Sequence, residues 1–157
     1  MEGMNRTTLA LAAGGTLAAL AFTGAVAAPA VTDWWDGRHD QHGSYATGAA
    51  AKADRASVPR WLPDGAASVE YVMRTTGGDR VLKATLPSPD LPAGCTPLPA
   101  GAPRPDPALA PSWFPKDAAG KATARCGLYY AYGDGHTLYA WQDNQDWIKD
   151  NKAGSPH

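Results

Sequence analysis

The sequence predicts a mainly β fold, with a small α+β fold as the alternative, built on one antiparallel sheet of two hairpins and stapled by one disulfide. Three observations predict it. Apolar and polar residues alternate over about 68–86 and again over about 126–141. A proline-rich segment separates the two stretches, and the chain holds only two cysteines, Cys95 and Cys126. A length of 157 residues leaves room for one domain.

Residues 1–27 have the pattern of a secretory signal peptide, which we expect to be helical. Arg6 gives a basic start, no further charge follows before Asp33, and Ala25-Val26-Ala27 fits a small-residue cleavage site. The predicted location is therefore secreted or extracellular. The alternative is a membrane anchor formed by residues 7–30 if the leader stays uncleaved, because the uncharged run is long enough to span a bilayer.

Export determines how the two cysteines are interpreted. In an oxidising compartment, Cys95 and Cys126 most simply form one disulfide. It would close a loop of about 32 residues and stabilise the fold by roughly 3.5–4 kcal/mol. A catalytic thiol is the competing interpretation, but no histidine in the sequence is an obvious partner for it.

The mature chain is predicted to have three parts. Residues 28–59 are predicted to be a flexible tether, because they show neither a strand nor a helix period and Trp34-Trp35 is their only strong apolar feature. Residues 60–148 are predicted to form the disulfide-stapled β domain. Residues 149–157 are predicted to be a disordered tail, after one short helical turn around Trp147-Ile148.

The first hairpin has six apolar residues at alternating positions on either side of Gly77-Gly78: Val69, Tyr71, Met73, Leu82, Ala84 and Leu86. With Gly77-Gly78 as a two-residue loop, Met73 lies opposite Leu82 and all six share one face. The opposite face, which includes Glu70 and Lys83, is predicted to meet solvent. After this hairpin, residues 87–115 hold ten of the fourteen prolines, so they are predicted to cross the surface as an extended loop.

The second hairpin is predicted to have one strand from Cys126 to Tyr132, a turn at Asp134-Gly135 and a return strand that ends at Trp141. This register places Tyr130 opposite Tyr139. Four aromatic residues then share one face: Tyr130, Tyr132, Tyr139 and Trp141. They form either a ligand platform or part of the core.

Alternation along the predicted strand favours the core interpretation. It places Cys126, a disulfide cysteine that we expect to point inward, on the same side as Tyr130. The same parity points Tyr129 and His136 outward, and Trp113 lies in a predicted loop. Trp113, Tyr129 and His136 are therefore the candidate binding residues.

Charge and motifs exclude several functions. A net charge of −1 and a pI near 6.4 argue against a nucleic-acid partner. Glu70 is the one glutamate after the leader, and no nucleophile elbow, phosphate loop or zinc-protease motif occurs, so we expect no catalytic residues and no cofactor. Two histidines and two aspartates lie within residues 36–42, but a tether offers no rigid scaffold for a metal, so no metal site is predicted.

Several short motifs follow the leader in order: Arg60-Trp61-Leu62-Pro63-Asp64, Thr75-Thr76-Gly77, Ala93-Gly94-Cys95, Trp113-Phe114-Pro115 and a final Cys126–Trp141 hairpin with Gly133-Asp134-Gly135. In this combination the chain resembles small exported proteins of high-GC actinobacteria, over about residues 60–141. That group has no established activity. The resemblance implies export and a disulfide, and it carries over no catalytic or binding residue.

Together these observations predict an exported cell-envelope or extracellular protein that binds or has a structural role, and that is not an enzyme. Its expected partner is an envelope protein or a cell-wall component, with a membrane contact only if residues 7–30 remain attached. One alternative is a carbohydrate-binding or wall-binding module that uses exposed aromatics. The other is a small secreted enzyme, which would need a pocket with converging polar groups.

Overall fold

The structure is a computed structural model that describes residues 39–154. The predicted signal peptide, the first part of the predicted tether with Trp34-Trp35, and the last three residues lie outside this range. The described residues form seven strands and three helices: β1 (Asp40–Thr47), α1 (Gly48–Asp54), β2 (Ala67–Arg74), β3 (Arg80–Thr85), β4 (Cys95–Pro97), α2 (Ala118–Lys121), β5 (Ala124–Cys126), β6 (Tyr129–Asp134), β7 (Thr137–Gln142) and α3 (Asn144–Gly154).

All seven strands belong to one antiparallel sheet with the order β1-β2-β3-β7-β6-β5-β4. The predicted mainly β class is therefore confirmed. The proline-rich crossover carries the chain from β3 in the centre to β4 at the far edge, and the last three strands fill the space between them. Cys95 in β4 lies opposite Cys126 in β5, and the two form the predicted disulfide.

The prediction of a tether is wrong for its described part, because residues 40–54 form β1 and α1. β1 pairs with β2 along its length, from Asp40 opposite Arg74 to Thr47 opposite Ala67. Thr47 then caps α1, since its hydroxyl accepts a hydrogen bond from the Ala50 amide at 3.1 Å. β1 is a largely exposed edge strand, so its sequence carries no apolar alternation and its pairing comes from β2.

The first hairpin is present, but its register is two residues from the predicted one, with Tyr71 opposite Leu82. The loop holds five residues instead of two, because contacts with the last part of the chain keep it open. The Gly78 amide donates to Asn144 Oδ1 at 2.8 Å, and the Gly78 carbonyl accepts from Gln142 Nε2 at 2.6 Å. A shift of two keeps every side chain on its predicted face, since the strand period is two.

The second hairpin differs more from its prediction. The stretch from Cys126 to Tyr132, predicted as one strand, is divided by a turn between β5 and β6. β5 ends at Cys126, Gly127-Leu128 forms a two-residue turn, and β6 returns with Tyr129 opposite Cys126. Gly127 has φ +60° and Gly135, which opens the β6–β7 turn, has φ +59°. Glycine at the first central position of a two-residue hairpin suits a type II′ turn. The β6–β7 register is again two residues from the predicted one, with Tyr132 opposite Tyr139.

Both faces of the sheet are packed, so the prediction that one face of the first hairpin meets solvent is wrong for Val72 and Val81, whereas Glu70 and Lys83 on that face remain partly exposed. The α1-covered face lies under α1 and residues 55–66, with a core of fourteen buried residues that includes Leu62, Tyr71 and Tyr129. The proline-covered face lies under residues 98–122, with a second core that includes Val72, Val81 and the stripe Tyr130, Tyr132 and Trp141. The stripe is therefore core, although Cys126 lies on the other face.

The C-terminal segment is helical through Gly154, so the disordered tail predicted from residue 149 is wrong over its described part. Asp143 caps α3: its Oδ1 accepts hydrogen bonds from the amides of Gln145 and Asp146, at 2.8 and 3.4 Å. Trp147 then packs against Gly78 of the first hairpin loop. The sequence predicted only one helical turn around Trp147-Ile148, and these tertiary contacts explain why the helix extends from Asn144 to Gly154.

Candidate functional site

The structure does not bring the three candidate binding residues together. His136 is exposed in the β6–β7 turn, with Nδ1 3.0 Å from the Leu86 carbonyl oxygen. Trp113 is half-buried on the proline-rich segment and lies edge-on to Phe114. Tyr129 is only 3% exposed, so its predicted outward position is wrong. The unexpected Gly127-Leu128 turn reverses the chain before Tyr129 and breaks the parity on which that prediction rested.

A cleft of about 430 Å³ lies where the proline-rich segment meets the first turns of α3, and we call it the charged cleft. Its lining carries charges of both signs around one tyrosine: Pro103, Arg104, Pro105, Tyr130, Asp143, Gln145, Asp146 and Lys149. Clefts of this size, with a few well-placed polar groups, are typical of small-ligand and peptide sites.

Tyr130, on the floor of the charged cleft, is the middle member of a row of three side chains on adjacent strands. Register places Tyr130 between Arg125 of β5 and Trp141 of β7. The Tyr130 ring stacks on Trp141 with centroids 5.7 Å apart, and the Arg125 guanidinium carbon lies 4.0 Å from the centre of the Tyr130 ring. The tyrosine ring is held between an indole and a cation, so it has little freedom to move.

The polar end of this row is a three-way contact on Asp146. The Tyr130 hydroxyl donates to Asp146 Oδ2 at 3.0 Å, and Arg125 Nη1 lies 3.5 Å from the same oxygen. Burial and then the hydrogen bond to Asp146 raise the pKa of Tyr130. The hydroxyl therefore remains a protonated donor at neutral pH, and it fixes the position of the carboxylate.

The outer wall of the charged cleft is held in place by two hydrogen bonds to backbone carbonyls. Trp141 Nε1 donates to the Pro105 carbonyl at 2.9 Å, and Arg104 Nε donates to the Ala122 carbonyl at 3.1 Å. Proline also fixes the φ angle of the chain on either side of Arg104. The wall is thus ordered before any ligand arrives, which lowers the entropic cost of binding.

Three groups on the rim of the charged cleft are available to a ligand. Arg104, Gln145 and Lys149 are exposed, and neither Arg104 nor Lys149 forms an ion pair with another described residue. The cleft therefore offers two cations and an amide at its rim and a positioned carboxylate at its floor. Within residues 39–154 no group of three or more His, Cys, Asp or Glu is arranged to hold a metal ion.

Sequence reasoning missed this cleft because its parts are far apart in the chain. One local signal was present: Asp143, followed by Asp146 in the first turn before Trp147, fits a helix start with its carboxylates at the amino end. Arg104 lies near the start of α3 because of the path that the proline-rich crossover takes. No periodic pattern in the sequence predicts that path.

Comparisons with known proteins add no relative: no protein-family model, no curated protein and no solved structure matches this chain. Among the helices that the structure describes, none has the length and apolar character needed to cross a membrane.

Proposed function

We propose that this chain is an exported protein of the cell envelope or the extracellular space, which binds a partner protein or a wall component through the charged cleft and does not catalyse a reaction. The observation that carries the proposal is the preordered arrangement of the cleft. Its wall is fixed by the Trp141 and Arg104 hydrogen bonds, and its floor by the contact of Tyr130 and Arg125 with Asp146.

The protonation and bonding of the cleft groups favour recognition over catalysis. A general acid or base works best when its pKa lies near the working pH. Tyr130 has a pKa raised above its ordinary value, and Asp143 already accepts the helix amides. The exposed groups of the rim, Arg104, Lys149 and Gln145, are hydrogen-bond donors suited to binding, and neither cation forms an ion pair with another described residue. The two cations at the rim fit a ligand that carries an acidic group, because the floor carboxylate of Asp146 is already paired with Arg125.

Two features support export as part of this proposal. The sequence begins with a leader pattern that ends at a small-residue cleavage site after Ala27. The Cys95–Cys126 disulfide is consistent with an oxidising compartment. Mass spectrometry of the protein from culture supernatant and from the cell envelope would test this part: a mature chain that begins at Ala28 supports export, and an intact leader supports the anchored alternative.

Binding is best tested by sedimentation with purified peptidoglycan. We expect the natural protein to co-sediment, and to do so less as salt is added, because the cleft recognises charge. The double variant Arg104→Gln, Lys149→Gln should stay in solution. Its matched control is Arg60→Gln, Lys116→Gln, which removes the same charge from exposed positions outside the cleft and should still sediment. Equal sedimentation of the two double variants would argue against the cleft.

A carbohydrate-binding module remains the second candidate, since Trp113 is half-buried on the same proline-rich segment. Indole rings stack on sugar rings through their exposed area. In that case Trp113→Ala would abolish binding to wall polysaccharide, while the Arg104 and Lys149 double variant would leave it unchanged. The two candidate functions therefore predict opposite binding results for the same two variants, Trp113→Ala and the Arg104 and Lys149 double variant.

A further inference from the structure

The two edges of the sheet differ in what they offer to another strand, and the β4 edge is closed. β4 is three residues long, and just beyond it the Leu98 amide donates to the Thr123 carbonyl at 2.9 Å. Because hydrogen-bonded positions alternate along an antiparallel pair, Cys95 and Pro97 direct their backbone groups outward. Pro97 has no N–H, and the Cys95 amide already donates to the Pro92 carbonyl at 3.0 Å. Neither outward position of β4 therefore has an N–H to give to a new strand.

The β1 edge, at the other end of the sheet, is open. The Thr75 amide donates to the His39 carbonyl at 2.7 Å, in the register that β1 continues along β2. By the same alternation, Asp40, His42 and Ser44 direct their backbone groups away from β2. No described residue accepts a hydrogen bond from these three amides, and no described strand lies on that side.

One described side chain reaches the outer side of β1. Arg55 Nη2 donates to the His42 carbonyl, which confirms that this carbonyl points away from β2. The bond is exposed and long, at 3.3 Å. Arg55 makes two shorter bonds to side chains, from Nε to the Tyr45 hydroxyl at 2.9 Å and from Nη1 to Gln41 Oε1 at 2.8 Å. A new strand can therefore replace the bond to His42 while Arg55 keeps the other two.

A long open edge is a template for a further strand, and proteins that avoid such pairing block their edges. The usual devices are a very short edge strand, proline and lysine. β4 has the first two, whereas β1 is eight residues long and contains neither proline nor lysine. The contrast indicates that β1 is an edge meant to be paired.

The outward positions of β1 are self-complementary. They are symmetric about Gly43, because Asp40 and His42 lie before it and Ser44 and Ala46 lie after it. If a two-fold axis passes through Gly43, His42 lies opposite Ser44 of a second copy, and Asp40 lies opposite Ala46 of that copy. All four outward positions then match, which gives about eight backbone hydrogen bonds between two β1 strands.

Charge and order favour a second copy over a free peptide. Asp40 is the one formally charged residue of β1, and Arg74 Nε lies 3.2 Å from its carboxylate. The edge therefore carries no net charge that would select a charged peptide or repel a copy, and the whole chain has a net charge of only −1. β1 is also held extended by β2, so pairing two copies costs less ordering entropy than pairing a flexible peptide.

We propose that β1 is the interface of a homodimer, in which the β1 strands of two copies pair antiparallel about Gly43 and join two seven-stranded sheets into one. This interface goes beyond the proposed function and does not depend on it. No residue that lines the charged cleft belongs to β1 or β2, so both clefts stay open in the dimer.

The experiment combines sedimentation velocity over a range of protein concentrations with hydrogen exchange of single amides by NMR. We expect a monomer–dimer equilibrium, and exchange at Asp40, His42 and Ser44 that is at least about tenfold slower at high than at low protein concentration. The Gly43 amide, which faces β2, is the internal control and should change little. Added sodium chloride should leave the dimer unchanged, because backbone hydrogen bonds hold it, whereas it weakens binding at the charged cleft.

One pair of variants tests the edge directly. Ser44→Pro removes an outward amide and no bond to β2, and two-fold symmetry makes the loss count twice, so the dissociation constant should rise at least about tenfold. Ser44→Ala is the matched control. It loses the same hydroxyl bond to Glu70 Oε2, 2.6 Å long, but keeps the amide, and it should dimerise as the natural protein does. The Arg104 and Lys149 double variant should also dimerise normally, so the two proposals can fail separately.

Three results would overturn the proposal. A protein that stays monomeric with rapidly exchanging β1 amides has a bare edge. A monomer whose β1 amides are protected has the edge covered by another segment of its own chain or by a co-purified peptide. A dimer that leaves the exchange of these amides unchanged uses another surface. All three readings come from the natural protein, so they hold even if Ser44→Pro fails to fold.

Discussion

Tyr129 and Tyr130 are adjacent in sequence and lie on opposite faces of the sheet, each beside an arginine. Tyr130 packs against Arg125, and both contact Asp146. Tyr129 lies beside Arg80, and no described acid reaches that arginine. Among the described residues, therefore, the arginine of one pair is neutralised by an acid and the arginine of the other is not. The difference shows that the covering layer decides the chemistry of a strand residue, since α3 contributes a carboxylate to one face and residues 55–66 contribute only a carbonyl to the other.

The largest expected effect comes from removing the disulfide that holds β5 beside β4. β5 carries Arg125 and leads through Gly127 to Tyr129, so both tyrosine–arginine pairs depend on it. We expect the double variant Cys95→Ala, Cys126→Ala to lose about 3–4 kcal/mol of unfolding free energy, the chain-entropy value for this loop. Urea denaturation of the variant and of the reduced natural protein measures the loss. Equal stability of oxidised and reduced protein would refute the structural role of the bond.

The two tyrosines respond in opposite directions to loss of the hydroxyl. Tyr130→Phe removes the hydrogen bond to Asp146, so we expect a loss of about 1.5 kcal/mol. Tyr129→Phe removes a buried hydroxyl that makes no well-aligned hydrogen bond and only interacts with Arg80 and Tyr71, so we expect a change between zero and about 1 kcal/mol of added stability. Urea denaturation of both variants in the same buffer compares them directly. Equal losses would erase the distinction between the two pairs.

The Gly127-Leu128 turn, which comes directly before the two tyrosines, depends on one glycine. Gly127 has φ +60°, which an alanine adopts at a cost of about 1–2 kcal/mol. We expect Gly127→Ala to lower the unfolding free energy by that amount. Gly120→Ala is the control, since Gly120 has no positive φ and a Cβ there would meet no atom within 4 Å. If both substitutions have the same effect, the backbone of the turn is not the constraint.

The smallest expected effect on stability near neutral pH comes from the raised pKa values of the tyrosines. Burial raises the pKa of Tyr129 and Tyr130, and it raises the pKa of Tyr132 to about 12. The unfolded chain loses these protons near pH 10. Stability from the raised pKa values is therefore complete below pH 10 and falls as the pH rises towards 12. Tyrosinate absorbance, measured in Tyr129→Phe and Tyr130→Phe, should show Tyr130 ionising before Tyr129. The reverse order would contradict the deeper burial of Tyr129.

Much of the fold was predictable from local chemistry. Except for Cys126, which lies before the Gly127-Leu128 turn, the alternating residues of both hairpins predicted which side chains share a face. This result survived a register shift of two residues because the strand period is two. The disulfide was predicted from the two cysteines together with the leader pattern of residues 1–27. The edge strand β1 was not predictable, because an exposed strand needs little apolar pattern and gains its hydrogen bonds from β2.

The candidate site was far less predictable. Tyr129 was named from sequence for the wrong reason, as an outward residue, and its structural interest lies in a buried hydroxyl beside Arg80. Trp113 and His136 were named as well, and they lie apart from the charged cleft and from Arg80. A parity argument holds only while the strand is continuous, and Gly127 interrupts it.

The sequence by itself determined the β class, the pairing of Cys95 with Cys126 and the faces of the hairpin residues, since these depend on residue type and short-range period. Only the tertiary structure decided which arginine meets a carboxylate. Arg125 meets Asp146 because α3 begins beside the proline-covered face. Arg80 has no acidic partner within residues 39–154, because its neighbour Asp79 is bound to Arg74 and to the α3 amide of Asn144. Electrostatic pairing depends on distances of a few ångströms between distant segments, which no local pattern specifies.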